Sequence, residues 1–268
     1  MNILVVDSFS VERDPAQMDM YRALESCYNV AYCYPETIYD MLPLADVLYL
    51  GIYHQVLPLD WLHLFSNVRC PVIIDQADNE DFIRRLHQMN YEYIRPKKVF
   101  LSRYLPHYGL DTIVSPLKQL SWFIDPNRVN YNGEEKDIDV AFVCSLYRKR
   151  TGYAEIIRQI CARHGWKCFV GQSFWDEYID ILRHTKVFIA ECGRKCYTQK
   201  YTEALLCGCT IVGDRPLYPN NSLSMYNANI PNITNEIKMA LEFPIKDTPE
   251  FSDRDYFLAE FNSILESI

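Results

Sequence analysis

Ile138-Asp139-Val140-Ala141-Phe142-Val143-Cys144-Ser145-Leu146-Tyr147-Arg148-Lys149-Arg150 is the stretch on which the fold turns. A β-branched and aromatic run from Ile138 to Val143 reads as a strand, and the basic turn after it leads into a stretch of helical length, Thr151 to His164. Downstream the alternation repeats as strand Lys167 to Val170, helix Ser173 to Arg183, strand Val187 to Ala190, helix Thr198 to Cys207 and strand Thr210 to Val212. Upstream, strands are expected at Ile3 to Val6, Asn29 to Cys33, Val47 to Leu50, Val72 to Ile74, Val99 to Ser102 and Thr112 to Val114. Helices are expected at Pro15 to Ser26, with Asp14 as N-cap, Leu59 to Phe65 and Asn79 to His87. Such alternation is the pattern of βα units around a parallel sheet.

The segment Asp125 to Asp137 is polar, contains Pro126 and Gly133, and has no apolar period, so it reads as a linker. The expected architecture is therefore α/β with two Rossmann-like domains, each a parallel sheet flanked by helices. The first covers residues 1–128 and the second 129–250. A C-terminal helix over 251–268, with Tyr256, Phe257, Phe261 and Leu265 as its apolar face, is expected to pack back on the first domain.

Composition agrees with a globular chain: of 268 residues 49% are hydrophobic and 23% charged, which excludes disorder, collagen and coiled coil. Apolar runs such as Val47 to Leu50 and Val187 to Ala190 are far short of the roughly 20 residues of a membrane span. Met1-Asn2 leads straight into Ile3 without a basic region or a cleavage site, so a cytoplasmic protein is expected. The ten cysteines mostly sit in apolar runs and read as reduced core residues, and Cys192/Cys196 and Cys207/Cys209 lack the spacing of a zinc knuckle.

The net charge of −8 is unevenly distributed. From Arg84 to Lys200 there are 20 Lys and Arg against 12 Asp and Glu, and the remainder carries 7 against 23. A basic middle suits an anionic ligand, although solvated helix faces would give the same imbalance.

Several familiar sites are missing. Asp7-Ser8-Phe9-Ser10 follows the first strand where a dinucleotide-binding enzyme would have Gly-x-Gly-x-x-Gly, and there is no P-loop, no His-Glu-x-x-His and no Gly-x-Ser-x-Gly elbow. Asp137-Ile138-Asp139 has the form of an Asp-x-Asp metal motif, but it precedes a strand, which places it at the opposite end of the sheet from any phosphate.

Two constellations remain. Arg148, Lys149 and Arg150 after a parallel strand, beside a helix N-terminus, suit a diphosphate, because charges and free backbone N–H groups converge there. An isolated basic turn is also commonly just solvated. In the second, Lys200 and Glu203 lie three apart on one helix face, where a cation can meet phosphate and a carboxylate can accept from two ribose hydroxyls. The plainer reading is an intrahelical ion pair. Gly208 is expected to end this helix as a C-cap.

The order strand, Ser145-Leu146-Tyr147-Arg148-Lys149-Arg150, helix, strand, helix, strand, then Tyr201-Thr202-Glu203-Ala204-Leu205-Leu206-Cys207-Gly208-Cys209-Thr210-Ile211-Val212 resembles the donor half of GT-B glycosyltransferases. Within these it is most similar to the spore-maturation (CgeB-like) branch, through Val140 to Tyr147 and Glu203 to Cys209. The match runs from about Ile138 to Asp214 and is only architectural in the first half. The resemblance implies a nucleotide-sugar donor, expected to be UDP-linked, with Glu203 on the ribose and Arg148, Arg150 and Lys200 on the phosphates. It further implies that Ser145 and the loop Glu191 to Thr198, with Arg194, face the diphosphate or sugar. Lys200 stands where many relatives carry Arg, a point charge in place of a two-pronged grip. No metal and no further cofactor is required by such a site, since cations and helix N-termini stabilise the leaving diphosphate.

The first domain should then bind the acceptor and, if the enzyme inverts, supply a general base. Asp75 follows the strand Val72 to Ile74, at the edge where open α/β sheets place their chemistry, and its position resembles the base of phage DNA β-glucosyltransferases. Asp78 is the competing candidate, or else a helix cap. His54 and His107 lie in expected loops, and Tyr91, Tyr93, Tyr104 and Tyr108 are interleaved with Arg95, Lys97, Lys98 and Arg103. Such a segment suits DNA carrying modified bases, a glycan, a small molecule, or plain packing. A binding module that kept the nucleotide pocket and lost catalysis is the alternative of a different class.

Overall fold

The computed structural model describes residues 1–7, 15–34, 37–51, 68–75, 98–101, 117–118, 120–129, 131–145, 149–190, 198–216, 223–246 and 253–268. The elements expected at Leu59 to Phe65, Asn79 to His87 and Thr112 to Val114, and the Asp14 cap, lie outside them.

Strands β1 (Asn2–Asp7), β2 (Asn29–Cys33), β3 (Val47–Gly51), β4 (Val72–Asp75), β5 (Lys98–Leu101) and β6 (Leu117–Lys118) form one sheet in the order β2-β1-β3-β4-β5-β6. Every neighbouring pair is parallel. Strands β7 (Ile138–Val143), β8 (Cys168–Gly171), β9 (Thr185–Ile189), β10 (Thr210–Gly213) and β11 (Tyr226–Asn227) form the second sheet in the order β11-β10-β9-β7-β8, again parallel throughout. The described α-helices are α1 (Pro15–Glu25), α2 (Ile38–Met41), α3 (Pro126–Val129), α4 (Lys149–His164), α5 (Trp175–Arg183), α6 (Gln199–Leu206), α7 (Ile233–Glu242) and α8 (Arg254–Glu266). The chain divides into two compact units, Met1–Phe123 with Asp253–Ile268, and Ile124–Ser252. Strand order reverses between β1 and β3 in one sheet and between β7 and β9 in the other. Ligands of open α/β sheets bind beyond the strand C-termini at such reversals.

In the first unit Ile3 to Val6, Leu48 to Leu50, Ile73 and Ile74 are buried. Helix α8 joins this core through Phe257, Leu258, Phe261 and Ile264, and the Phe261 ring lies 6.2 Å from that of Tyr49 and 5.9 Å from that of Tyr28. Its buried stripe is rotated from the expected one: Tyr256 is 38% exposed, and Leu258 and Ile264 complete the spacing that an α-helical period allows. In the second unit Val140, Phe142, Val187, Ile189 and Val212 pack against Ala154, Ile157 and Cys161 of α4 and Ile233, Ile237 and Ala240 of α7. Cys144, Cys161, Cys207 and Cys209 are free and buried, whereas Cys27 and Cys168 are exposed.

The polar segment after Ile124 is more ordered than its composition suggests. Asp125 accepts from the backbone N–H of Asn127 at 2.9 Å, Arg183 Nε donates to the Val129 carbonyl at 2.7 Å, and Val129 is buried. Lys136 Nζ donates to the carbonyls of Arg183 (3.2 Å), Thr185 (2.7 Å) and Cys207 (2.7 Å), beneath the Tyr131 ring. One ammonium thereby ties the ends of α5 and α6 to the start of β9. Lys136→Met removes all three bonds and is expected to cost about 2–4 kcal/mol in urea unfolding, given roughly 1.5–3 kcal/mol per charged hydrogen bond with partial rehydration. A loss under about 0.5 kcal/mol, the size of an ordinary surface change, would refute the tie.

Gly208 ends α6 as the sequence indicates. The N–H of Gly208 bonds the carbonyl of Leu205 at 2.8 Å and that of Cys209 bonds Ala204 at 2.9 Å, the paired bonds of a Schellman cap, with Gly208 at φ 68°. A Cβ there would come 2.9 Å from Tyr131 Cε1, whereas at Gly133, φ 83°, it would meet nothing within 4 Å. Gly208→Ala should cost about 1–2 kcal/mol for the left-handed backbone plus a steric increment. Gly133→Ala measures the backbone share alone, and equal losses would show that Tyr131 yields freely.

Candidate functional site

Lys200 of the second constellation meets the end of β7, the strand that leads into the first, where β7 and β9 lie side by side. After β7, Cys144 is buried and its N–H bonds the Gly171 carbonyl, Ser145 is exposed, and Arg150 lies half-buried in the first turn of α4. Arg148 lies outside the described residues, as does the loop 191–197 with Arg194. The chain resumes at Thr198, directly before α6. Lys200, in the first turn of that helix, extends its Nζ to the Val143 carbonyl at 2.8 Å, the last residue of β7. Its ammonium is thus held at the strand-order reversal, 5.7 Å from the centre of the Tyr178 ring.

Glu203 lies one helical turn further and has different surroundings. It is 1% exposed, and its Oε1 accepts from Arg128 Nη2 of α3 at 3.0 Å. The buried hydroxyl of Tyr178, from α5, faces the same carboxylate. Burial pushes the Glu203 carboxyl above the usual range, while Arg128, Tyr178 and Lys200 pull it back toward ionisation. Burial and the neighbouring carboxylate raise Tyr178 well above an ordinary phenol, so it stays a neutral donor. Sequence reasoning placed Lys200 and Glu203 on one face but missed Arg128 and Tyr178. Arg128 sat in a stretch that read as linker, and no local pattern joins it to a residue 75 positions away.

In the first unit Asp75 is the last residue of β4, in register with Gly51 of β3 and Leu101 of β5. It is 3% exposed, and the Tyr49 hydroxyl donates to its Oδ2. The C-terminal edge of a parallel sheet is where open α/β folds place their ligands. Asp78, His54, His107 and the tyrosines from 91 to 108 lie outside the described residues. Asp139, at the start of β7, accepts from Lys186 Nζ at 2.7 Å and from the Lys167 N–H at 2.9 Å, so its carboxylate is used in structure at the edge away from Lys200. Among the described residues no group of three or more His, Cys, Asp or Glu side chains is placed to hold a metal ion, and no helix is long and apolar enough to cross a membrane.

No protein-family model matches the chain, and no curated protein matches its sequence. Among solved structures it is similar to Anabaena HepE in complex with UDP and glucose, with TM-score 0.60 and 12% identity over 100% of both chains. It is also similar to a sucrose-phosphate synthase from Thermosynechococcus elongatus, with TM-score 0.58 and 10% identity over 99% of this chain and 96% of that one. A glycosyltransferase from Rickettsia africae gives TM-score 0.55 and 9% identity, covering 99% and 93% respectively. The likeness at these identities is one of fold. The chain has the α/β fold of GT-B glycosyltransferases, two Rossmann-like domains each built on a parallel sheet flanked by helices.

Proposed function

We propose that this chain is a glycosyltransferase that moves a hexose from a nucleotide-sugar, UDP-linked, to an acceptor hydroxyl. The observation that carries the reading is the placement of Lys200 at the end of β7 with Glu203 one turn behind it, at the reversal of strand order. The fold likeness to HepE, solved with UDP and glucose, supports it. In this reading the second unit, Ile124–Ser252, binds the donor and the first the acceptor, with the C-terminal helix serving the first. Glu203 accepts from the ribose hydroxyls, and Ser145, Arg148, Arg150, Arg194 and Lys200 hold the diphosphate, with the N-termini of α4 and α6 beside them. As the glycosidic bond to the diphosphate breaks, these cations stabilise the charge that develops on the leaving group, so the reading calls for no metal. Asp75, or Asp78 in its place, takes the acceptor proton as the hydroxyl attacks the anomeric carbon.

The segments Val140 to Tyr147 and Glu203 to Cys209 support assignment to the spore-maturation branch. A hydroxymethylated base in DNA rests on the basic content of Arg84 to Lys118, and a glycan or small molecule on the net charge of −8. The test is a thermal-shift panel of UDP, GDP, ADP, TDP and their glucose conjugates, since a ligand of the folded state raises the midpoint. A shift with UDP and UDP-glucose is expected. No shift with any of them would overturn the reading. An acceptor screen beginning with hydroxymethylated DNA follows.

A further inference from the structure

The carboxylate expected to read ribose is 1% exposed, and a guanidinium from far away in the chain is bonded to it. We propose that Arg128 is a positioning residue for ribose recognition: it fixes the plane of the Glu203 carboxylate so that this carboxylate accepts from the ribose hydroxyls. The inference rests on Glu203 being the ribose-binding residue.

Three features support it. Arg128 engages Oε1 through Nη2 at 3.0 Å, beside the Tyr178 hydroxyl that faces the same carboxylate. The guanidinium comes from an anchored backbone, since Asp125 holds the Asn127 N–H at one end of α3 and Arg183 holds the Val129 carbonyl at the other. Among the described residues, the charged and titratable groups facing Glu203 come from two packed helices and its own: Arg128 from α3, Tyr178 from α5, Lys200 on α6, and Cys207 just beyond its end. Of these Tyr178 is neutral, the Cys207 thiol is pushed up by burial, and the Lys200 ammonium is directed to the Val143 carbonyl. Without Arg128 a carboxylate in so dry a place takes up a proton and loses half of its acceptor capacity.

The ratio of affinities for UDP and 2′,3′-dideoxy-UDP isolates the ribose hydroxyls. It should be measured by calorimetry from pH 5 to 8 on the full chain and on Arg128→Met and Arg128→Lys. Wild type is expected to prefer UDP by about 30-fold or more, the size of two charged hydrogen bonds with partial compensation. In Arg128→Met the preference should fall to within about twofold at unchanged dideoxy affinity, and what remains should vanish at a higher pH than in wild type. A merely structural Arg128 would weaken both ligands alike and leave the ratio intact, which overturns the proposal. Should Arg128→Met not fold, Arg128→Lys decides. A lone ammonium keeps the charge but cannot fix the plane, so the preference falls several-fold, and full retention refutes the role. Absence of any preference in wild type would instead remove Glu203 from the ribose, and the role of Arg128 with it.

Discussion

Asp75→Asn is expected to lower turnover by roughly 10²–10⁴-fold, the share that a positioned general base contributes, while UDP binds as to wild type. The isosteric amide is the right change here. Its oxygen can still accept from Tyr49, whose hydroxyl donates to Asp75 Oδ2, so the buried edge of β4 keeps its hydrogen bond and its packing. What is lost is the capacity to take a proton from the acceptor hydroxyl. The check is a rate of UDP release from UDP-glucose with acceptor present, beside a calorimetric affinity for UDP. Turnover within about threefold of wild type, far below the usual general-base contribution, would reduce Asp75 to a structural partner of Tyr49 and pass the role to Asp78. A binding module without catalysis would show no acceptor-dependent release in either protein.

Glu203→Gln should weaken UDP by about 100-fold, because two charge-assisted acceptor positions worth roughly 1.5–3 kcal/mol each are replaced by a neutral carbonyl and a donor. The amide oxygen can still accept from Arg128, so the substitution avoids stranding a guanidinium whose side chain is only 18% exposed. Loss of the thermal shift with the apo midpoint retained is the expected result. An unchanged affinity would remove Glu203 from the donor site.

The pH dependence of the same residue separates binding from folding. The folded-state carboxyl is raised by burial, so the folded protein holds its proton to higher pH than the unfolded chain. By linkage, the stability contributed by that proton is complete below the ordinary carboxyl pKa and is lost as pH rises through the raised value. Nucleotide affinity has the opposite sign, because the acceptor is the ionised form: it falls as pH drops through the raised value. Acidification across that window should therefore weaken UDP without destabilising the chain through this group, and Glu203→Gln should flatten both dependences. A parallel fall of apo midpoint and affinity in wild type, retained in the variant, would show that Glu203 is not the titrating group.

Strands were the most legible part of the chain. Val47 to Leu50, Val72 to Ile74 and Val187 to Ile189 are runs buried on both faces of parallel sheets, and burial on both faces writes itself into sequence as unbroken β-branched and aromatic residues. The two-residue strands Leu117–Lys118 and Tyr226–Asn227 were not foreseen, since two residues carry no period. Helix α7 was missed because its buried side is only Ile233, Ile237 and Ala240 among polar neighbours. Helix α8 was expected, but its apolar stripe was misplaced at Tyr256 and Leu265. Several adjacent hydrophobics allow more than one face, and packing against Tyr28 and Tyr49 selects one of them.

By itself the sequence determined the alternation of strand and helix, the Gly208 cap and the pairing of Lys200 with Glu203 on one helical face, because each of these is written in residues fewer than about twenty positions apart and obeys a local period. The tertiary structure alone decided that Lys200 ends on the last carbonyl of β7, that Lys136 gathers three carbonyls, and that Glu203 is closed from water against Arg128 and Tyr178. Those contacts join segments that only the strand crossovers bring together. A buried charge takes its partner from whatever the fold places beside it, and no local spacing can encode that choice.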